Sequence, residues 1–296
     1  MILDAVVSLP IRSFKAVGAN SKTSVLFAHK KTKPDEKQGS VFMAKASEIG
    51  FERDTKFAKK IGLNDLDTIL DEYRNHKKTD EKISVLSQNP PCFLVSPELI
   101  LDRIDASYFY AEYVFDLKVD ECRVKDVATP YYVNANLKDN PHDKIHYIEY
   151  GSIDKHLGDI TNTTEYYGNS APNRAKFRVK EGVVISAKML DSEKNVAIIP
   201  PYLDNQVASN GFVILEPKHP MTSEALFVVL RKDTTTEQIR WRAIGTIMPT
   251  VSNDDYLNLK IPKLSEIQIK EYTDKIRQYN KEANERKKYL RNLFLK

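Results

Sequence analysis

Glycine is scarce in this chain, ten residues in 296, and no two glycines are separated by a single residue. The glycine-rich loop that cradles S-adenosylmethionine has that spacing, so the chain carries no signature for binding it. Cysteine is scarcer still, with only Cys92 and Cys122. Two thiols at unrelated positions make neither a disulfide framework nor a zinc cluster, and they fit a reducing compartment. No apolar run approaches the roughly 20 residues of a membrane helix, and Met1-Ile2-Leu3-Asp4 lacks the basic flank of a secretory signal. A cytoplasmic protein that does not enter membranes is expected. Also missing are a G-x-S-x-G elbow, a Cys and His pair with a local signature, and a paired-carboxylate motif for metal-dependent DNA cleavage, so nuclease activity in this chain is not expected. His142 and His146 have the spacing of a helical zinc pair, but Pro141 precedes them and Tyr147-Ile148-Glu149-Tyr150 reads as strand. With no third ligand in evidence, no metal is expected.

What is present is ordinary for a folded protein, with 41% hydrophobic and 29% charged residues and a net charge of +4. The length suggests two domains. The total charge permits nucleic-acid binding without establishing it, so the placement of charge decides. One stretch concentrates it. From Arg174 to Lys180 the chain alternates Arg174, Lys176, Arg178 and Lys180 with Ala175, Phe177 and Val179, the pattern of a strand with an apolar face and a row of outward cations. Glu181-Gly182 then reads as a turn and Val183-Val184-Ile185 as the second strand of a hairpin. Same-side residues on a strand sit about 6.5–7 Å apart, near the spacing of successive phosphates, so the row could track a nucleic-acid backbone. A solvated edge strand guarded by its cations accounts for it equally well. Tyr166, Tyr167 and Asn169 sit in a polar loop just before this strand, with tyrosine suited to phosphate and asparagine to the adenine edge. Lys188 and Arg240-Trp241-Arg242 add further basic candidates, the tryptophan placed to pack between the two guanidinium heads.

Asn173-Arg174-Ala175, Lys180-Glu181-Gly182 and Val184-Ile185-Ser186 together resemble the target recognition domain of type I restriction-modification specificity subunits. Ser209-Asn210-Gly211-Phe212-Val213-Ile214-Leu215 is similar to that family's central strand. Gly245 through Pro249, Ser252, Leu257 and Ile261-Pro262 are similar to its closing segment before a long helix, and Arg103-Ile104-Asp105-Ala106-Ser107-Tyr108 to its opening. Upstream, Ala5 to Pro10, Thr23 to Ala28 and Ser40 to Ala44 read as three strands. With Phe14, Gly18, Asn20 and Ile49-Gly50-Phe51 they resemble the C-terminal tail of adenine-N6 DNA methyltransferases, the modification subunits of the same systems. Asn64-Asp65 reads as the cap of an amphipathic helix with Leu66, Ile69, Leu70 and Tyr73 on one face. Asn89-Pro90-Pro91-Cys92-Phe93 is similar to the methyltransferase target-base motif, but Cys92 displaces the aromatic residue and the segment follows the tail, so it reads as a proline turn. The charged run Asn75 to Lys82 reads as a linker, and Ser96-Pro97-Glu98 as a helix start.

The last segment opens with Pro262, then Ser265 and Gln268 as a capping box. Ile269, Tyr272, Ile276, Tyr279, Ala283, Arg286, Leu290 and Leu293 recur at steps of three and four, which makes a coiled-coil seam with one polar interruption. A helix of about 30 residues spans about 45 Å, so part of this seam should meet another helix. The expected fold is α+β: a methyltransferase-tail-like segment over 1–82, one mixed target recognition domain over 83–264, and a dimerisation or spacer helix over 265–296. The resemblance implies sequence-specific recognition of double-stranded DNA that directs an adenine-N6 methyltransferase and its nuclease to their target. It implies as partners double-stranded DNA, a modification subunit or domain, and a second copy through the helix. S-adenosylmethionine would bind a methyltransferase core outside this chain, which reads as a half-subunit or a piece of a fused modification-specificity polypeptide. Two other functions stay open: an active adenine-N6 DNA methyltransferase, and an assembly module that does not bind DNA.

Overall fold

The computed structural model describes residues 1–10, 13–18, 22–51, 59–77, 81–101, 103–114, 120–243 and 248–294. Ala19 and Asn20, Gly245 to Ile247, and positions 78–80 of the charged run lie outside the described residues. The chain divides into two compact units, one within 1–116 together with 248–249, the other within 117–243 and 250–296.

The three inner strands of the first unit's main sheet are largely apolar because both of their faces are covered. β1 (Ile2–Ser8), β2 (Ser24–His29) and β3 (Val41–Lys45) form where expected, followed by the hairpin β4 (Ile49–Phe51) and β5 (Lys60–Asn64), helix α1 (Leu66–Asn75), strands β6 (Ile83–Gln88) and β7 (Pro91–Val95), and helix α2 (Ala106–Val114). The sheet order is β2-β1-β3-β7-β6, with β1 and β3 parallel and the other pairs antiparallel. Ala5, Val7, Phe42, Ala44, Cys92 and Leu94 pack on one face with Ile69 of α1. Val6, Met43 and Phe93 pack on the other with Ala106 and Phe109 of α2. Asn89 and Pro90 make the turn between β6 and β7 as expected. Two expectations change. The helix start at Ser96 is a single 3-10 turn, Pro97–Leu99. The boundary placed at 82/83 does not separate the units, because β7 pairs with β3 and β6 with β7, so 83–95 completes the first sheet.

The second unit is layered. β8 (Glu121–Arg123), the short helix α3 (Val124–Val127), β9 (Ala128–Pro130), β10 (Val133–Asn134), β11 (Lys144–Ile148), β12 (Thr164–Tyr167), β13 (Ala175–Arg178), β14 (Val184–Ala187), β15 (Val196–Ile198), β16 (Val207–Ser209) and β17 (Phe212–Pro217) lead into helices α4 (Ser223–Leu230), α5 (Asp233–Arg242) and α6 (Asn253–Leu257), strand β18 (Lys260–Pro262) and the long helix α7 (Glu266–Phe294). One sheet runs β10-β13-β16-β11-β12 and another β15-β14-β17-β9. They share a core of Ile148, Ala208, Ile185, Phe212 and Ile214, with Phe177 packed against it. The far face of the second sheet packs Val184, Val213 and Leu215 on Leu226, Leu230, Ile239, Tyr256 and Ile269. The fold is α+β with a long C-terminal helix, as expected.

The expected hairpin after the basic strand does not form. Glu181 and Gly182 do turn the chain, Gly182 at a φ of +82°, but β13 and β14 belong to different sheets. Likewise, the segment from Ser209 to Leu215 is two strands in two sheets, joined at Asn210 and Gly211. A Cβ on Gly211 would lie 2.3 Å from the Tyr150 hydroxyl oxygen, which itself donates to the Gly211 carbonyl at 2.8 Å. Only glycine allows that approach.

Candidate nucleic-acid interface

The basic strand is interior to its sheet, with β10 on one side and β16 on the other. The Ala135 amide donates to the Lys176 carbonyl and the Asn210 amide to the Arg174 carbonyl, both at 2.8 Å. Its cations therefore guard no open edge, and the edge-strand reading fails. Ala175 and Val179 are buried and Arg174 and Lys176 exposed, as expected, but Phe177 and Arg178 are both half-buried, so the alternation is not continuous. A single row of cations does not follow, however. Ala175 pairs with Ser209 and Phe177 with Ala208, so two residues oppose one and the ladder carries a bulge at Lys176. Ala175 consequently packs with Ile145, Tyr147 and Val207, while Phe177 packs toward the core between the sheets.

The bulge divides the four cations by environment. Arg174 is exposed, its guanidinium 5.8 Å from the centre of the Tyr150 ring. Lys176 is exposed at the bulge itself. Arg178 instead donates to the Asn205 carbonyl at 2.9 Å and pairs with Asp143 at 3.4 Å. Lys180 pairs with Glu216 at 2.6 Å and lies 4.9 Å from the centre of the Tyr131 ring; the Glu216 bond raises its pKa. Two of the four thus already have carboxylate partners, and binding a phosphate there would first break an ion pair.

The preceding segment is not a loop. Tyr166 and Tyr167 lie on β12, at the sheet's edge, and Asn169 lies in a 3-10 turn, Gly168–Ser170. Tyr166 packs against the Ile145 and Tyr147 cluster, whereas Tyr167 is 56% exposed and Asn169 is exposed. The turn is held tightly: a Cβ on Gly168 would lie 2.2 Å from the Asn140 carbonyl oxygen, and the Asn169 amide donates to the Pro141 carbonyl at 3.0 Å. Tyr167, Asn169, Arg174 and Lys176 are therefore exposed side chains on one short, firmly held segment.

The other basic candidates are placed elsewhere. Arg242 is 1% exposed, its guanidinium turned to the Asn258 carbonyl at 3.3 Å, and is a core residue. Arg240 is bound to the buried carboxylate of Glu193, which raises its pKa. The two heads go to different partners because residues two apart on a helix diverge by about 200°. Lys188 is half-buried, donates to Asn253 at 2.7 Å, and burial lowers its pKa. His146 lies on β11 beside Thr163 and Glu165, and no cluster of three or more metal-binding side chains occurs among the described residues.

Helix α7 starts as expected, with the Gln268 amide donating to Ser265 at 3.3 Å and the Ser265 amide donating back to the Gln268 side chain at 2.9 Å. Its first turns dock. Ile269 is buried, Tyr272 and Ile276 pack on the same core, Thr273 bonds Thr222 at 2.7 Å, and Arg277 pairs with Glu224 at 2.7 Å. Farther along, Ala283 is half-buried, Arg286 is exposed, and Tyr279, Leu290 and Leu293 are large apolar side chains left exposed, Leu290 at 47%. The seam is thus half covered by its own unit.

No family model matches the chain, and no curated protein matches it. Among solved structures it is similar to a chain from a study of complex assembly and conformational transition in the type I R-M system, with 28% identity, 60% of this chain and 45% of that chain covered, and a TM-score of 0.48. It is similar also to the HsdS subunit from Thermoanaerobacter tengcongensis, with 27% identity, 59% and 48% covered, and a TM-score of 0.44. A type I restriction-modification S subunit from M. genitalium matches at 14% identity over 50% of this chain and 34% of that one, with a TM-score of 0.34. The chain spans about half the length of the first two.

The residues that sequence reading missed are the carboxylates. Asp143 and Glu216 lie 35 and 36 positions from the cations they hold, and no local spacing announces such a pair.

Proposed function

We propose that this chain is the target-recognition part of a type I restriction-modification system and binds double-stranded DNA through the segment from Tyr167 to Lys176. The observation that carries the reading is that Arg174, in the turn that enters β13, and Lys176, on β13 itself, stay exposed at a strand interior to its sheet, where cations are not needed against edge pairing. The motifs along 142–262 that resemble specificity subunits support it independently. In this reading Arg174 and Lys176 hold phosphates and set register, while Tyr167 and Asn169 reach toward base edges. The exposed end of the α7 seam receives a helix of a modification subunit or of a second copy, and an adenine-N6 methyltransferase acts at the bound site. The methyltransferase-tail resemblance of the first unit fits a chain that works beside such an enzyme, with S-adenosylmethionine bound there and not here.

Duplex binding measured against salt tests this. Each lost phosphate contact should reduce the slope of log K against log salt by about 0.9. Arg174→Ala with Lys176→Ala should lower both affinity and slope, and Arg178→Ala should change the slope less because Asp143 already holds that head. A slope unchanged in the double variant refutes the phosphate role. A parent chain that binds no duplex at low salt yet assembles through α7 would favour the assembly module.

A further inference from the structure

Asn210 and Gly211 carry the chain from one sheet of the second unit to the other, since β16 ends at Ser209 and β17 begins at Phe212. The backbone of this turn is held at several points. The Asn210 amide donates to the Arg174 carbonyl at 2.8 Å, and the Gly211 amide to the hydroxyl of the buried Ser209 at 3.2 Å. The Gly211 carbonyl accepts twice, from the Tyr150 hydroxyl at 2.8 Å and from the Lys188 amide at 3.3 Å. A second turn lies beside the first. It is closed by the Ala175 amide on the Pro172 carbonyl at 2.9 Å and carries Arg174. The pairing of Ala175 with Ser209 fixes the two turns next to each other, so Asn210 and Arg174, distant in sequence, are both exposed at one corner of the fold.

Asparagine in a turn ordinarily does one of two structural jobs: it takes a left-handed backbone, or its side chain bonds the backbone nearby. Both occur elsewhere in this unit. Asn136 and Asn205 have φ of +46° and +57°, and the Asn134 side chain accepts from the Asn136 amide at 3.1 Å. Asn210 does neither. Its φ is not positive, and its side chain makes no hydrogen bond among the described residues. A firmly held turn thus presents an unused amide to solvent beside an exposed guanidinium, and backbone locked in this way keeps the geometry that directional recognition needs. We propose that Asn210 is a specificity-determining residue that reads the major-groove edge of an adenine in duplex DNA. Resting on the DNA binding proposed above, this contact adds a base reader outside the segment from Tyr167 to Lys176. Adenine fits because its edge offers the N7 acceptor and the N6 donor, which an amide meets with its own donor and acceptor, and no other base offers both there. Arg174 at the same corner holds a phosphate and fixes the register in which Asn210 meets the groove.

The test uses the full chain and a pool of duplexes with randomised central positions, from which each protein selects its preferred sequence. The parent should select an adenine at a position where Asn210→Ala shows no preference. In the duplex selected by the parent, 7-deazaadenine at that position removes the N7 acceptor and leaves base pairing intact. This substitution should weaken binding by the parent about tenfold and leave binding by Asn210→Ala unchanged. The slope of log K against log salt should be the same in both proteins, because the lost contact is uncharged. Thermal unfolding confirms that the variant is folded. Asn210→Gly, which any turn accepts, serves as a second variant and should behave as Asn210→Ala does. A folded variant that selects the parent's sequence and keeps the parent's sensitivity to 7-deazaadenine overturns the adenine contact and leaves the DNA reading standing. A selected duplex in which no adenine is sensitive to loss of N7 has the same result. A parent chain that binds no duplex overturns both.

Discussion

Gly211 and Tyr150 show how one small residue fixes a larger site. Gly211→Ala would push a methyl into the Tyr150 ring and break the bond from its hydroxyl, an overpacking of the kind that costs about 1–3 kcal/mol. Because the same ring lies beneath Arg174, the variant should melt earlier and also bind duplex more weakly. Thermal unfolding together with a binding titration checks both. Lys45 gives a second expectation. Its amine releases its proton at lower pH in the fold than in the unfolded chain, so the unfolded state holds more protons between about pH 8 and 10.5. Stability should therefore rise with pH across that window, and Lys45→Met should flatten the rise, as melting at pH 8 and at pH 10 would show. Neither effect can be read from sequence, since Tyr150 and Gly211 sit far apart in the chain and the neighbours of Lys45 come from three separate segments. That Ala175 and Val179 are buried was legible, but not that they enter different clusters, because the bulge at Lys176 breaks the strand period between them.

Helix α7 was the most legible element, because its capping box and repeat are local signals. What the repeat could not show is where docking ends, since the apolar spacing continues unchanged while the partners change. Thr273, outside the seam, is buried against Thr222. Leu290→Asp should leave the melting temperature nearly unchanged, as surface changes usually do, and should reduce association if a second helix pairs there. Ile269→Asp should unfold the second unit, since a buried, unpaired carboxylate costs several kcal/mol. Sedimentation and melting of the two variants separate these outcomes, and a Leu290→Asp chain that unfolds would place that end of the helix in its own core. The failed hairpin has the opposite lesson. Two apolar runs around a glycine turn looked like neighbours, but Gly182 is held from outside, its carbonyl accepting from Ser223 on α4 at 2.5 Å, and the runs part into two sheets.

For the whole chain, the boundary was the least legible feature. A charged run reads as a linker, yet the pairing of β3 with β7 spans it, and only long-range contact reveals that. A chain without glycine-rich loops should give no saturable heat on titration with S-adenosylmethionine, and stoichiometric binding would favour the methyltransferase reading over the recognition one. The bulge at Lys176 also limits how this protein can vary over evolutionary time. Losing Lys176 would restore a regular ladder with Ala175 still opposite Ser209 and Phe177 opposite Ala208, and would remove one of the two exposed cations on which the DNA reading rests. Under the proposed DNA reading, changes of specificity should arise by exchanging side chains at the exposed positions around this strand, and insertions or deletions should be confined to the loops at its ends.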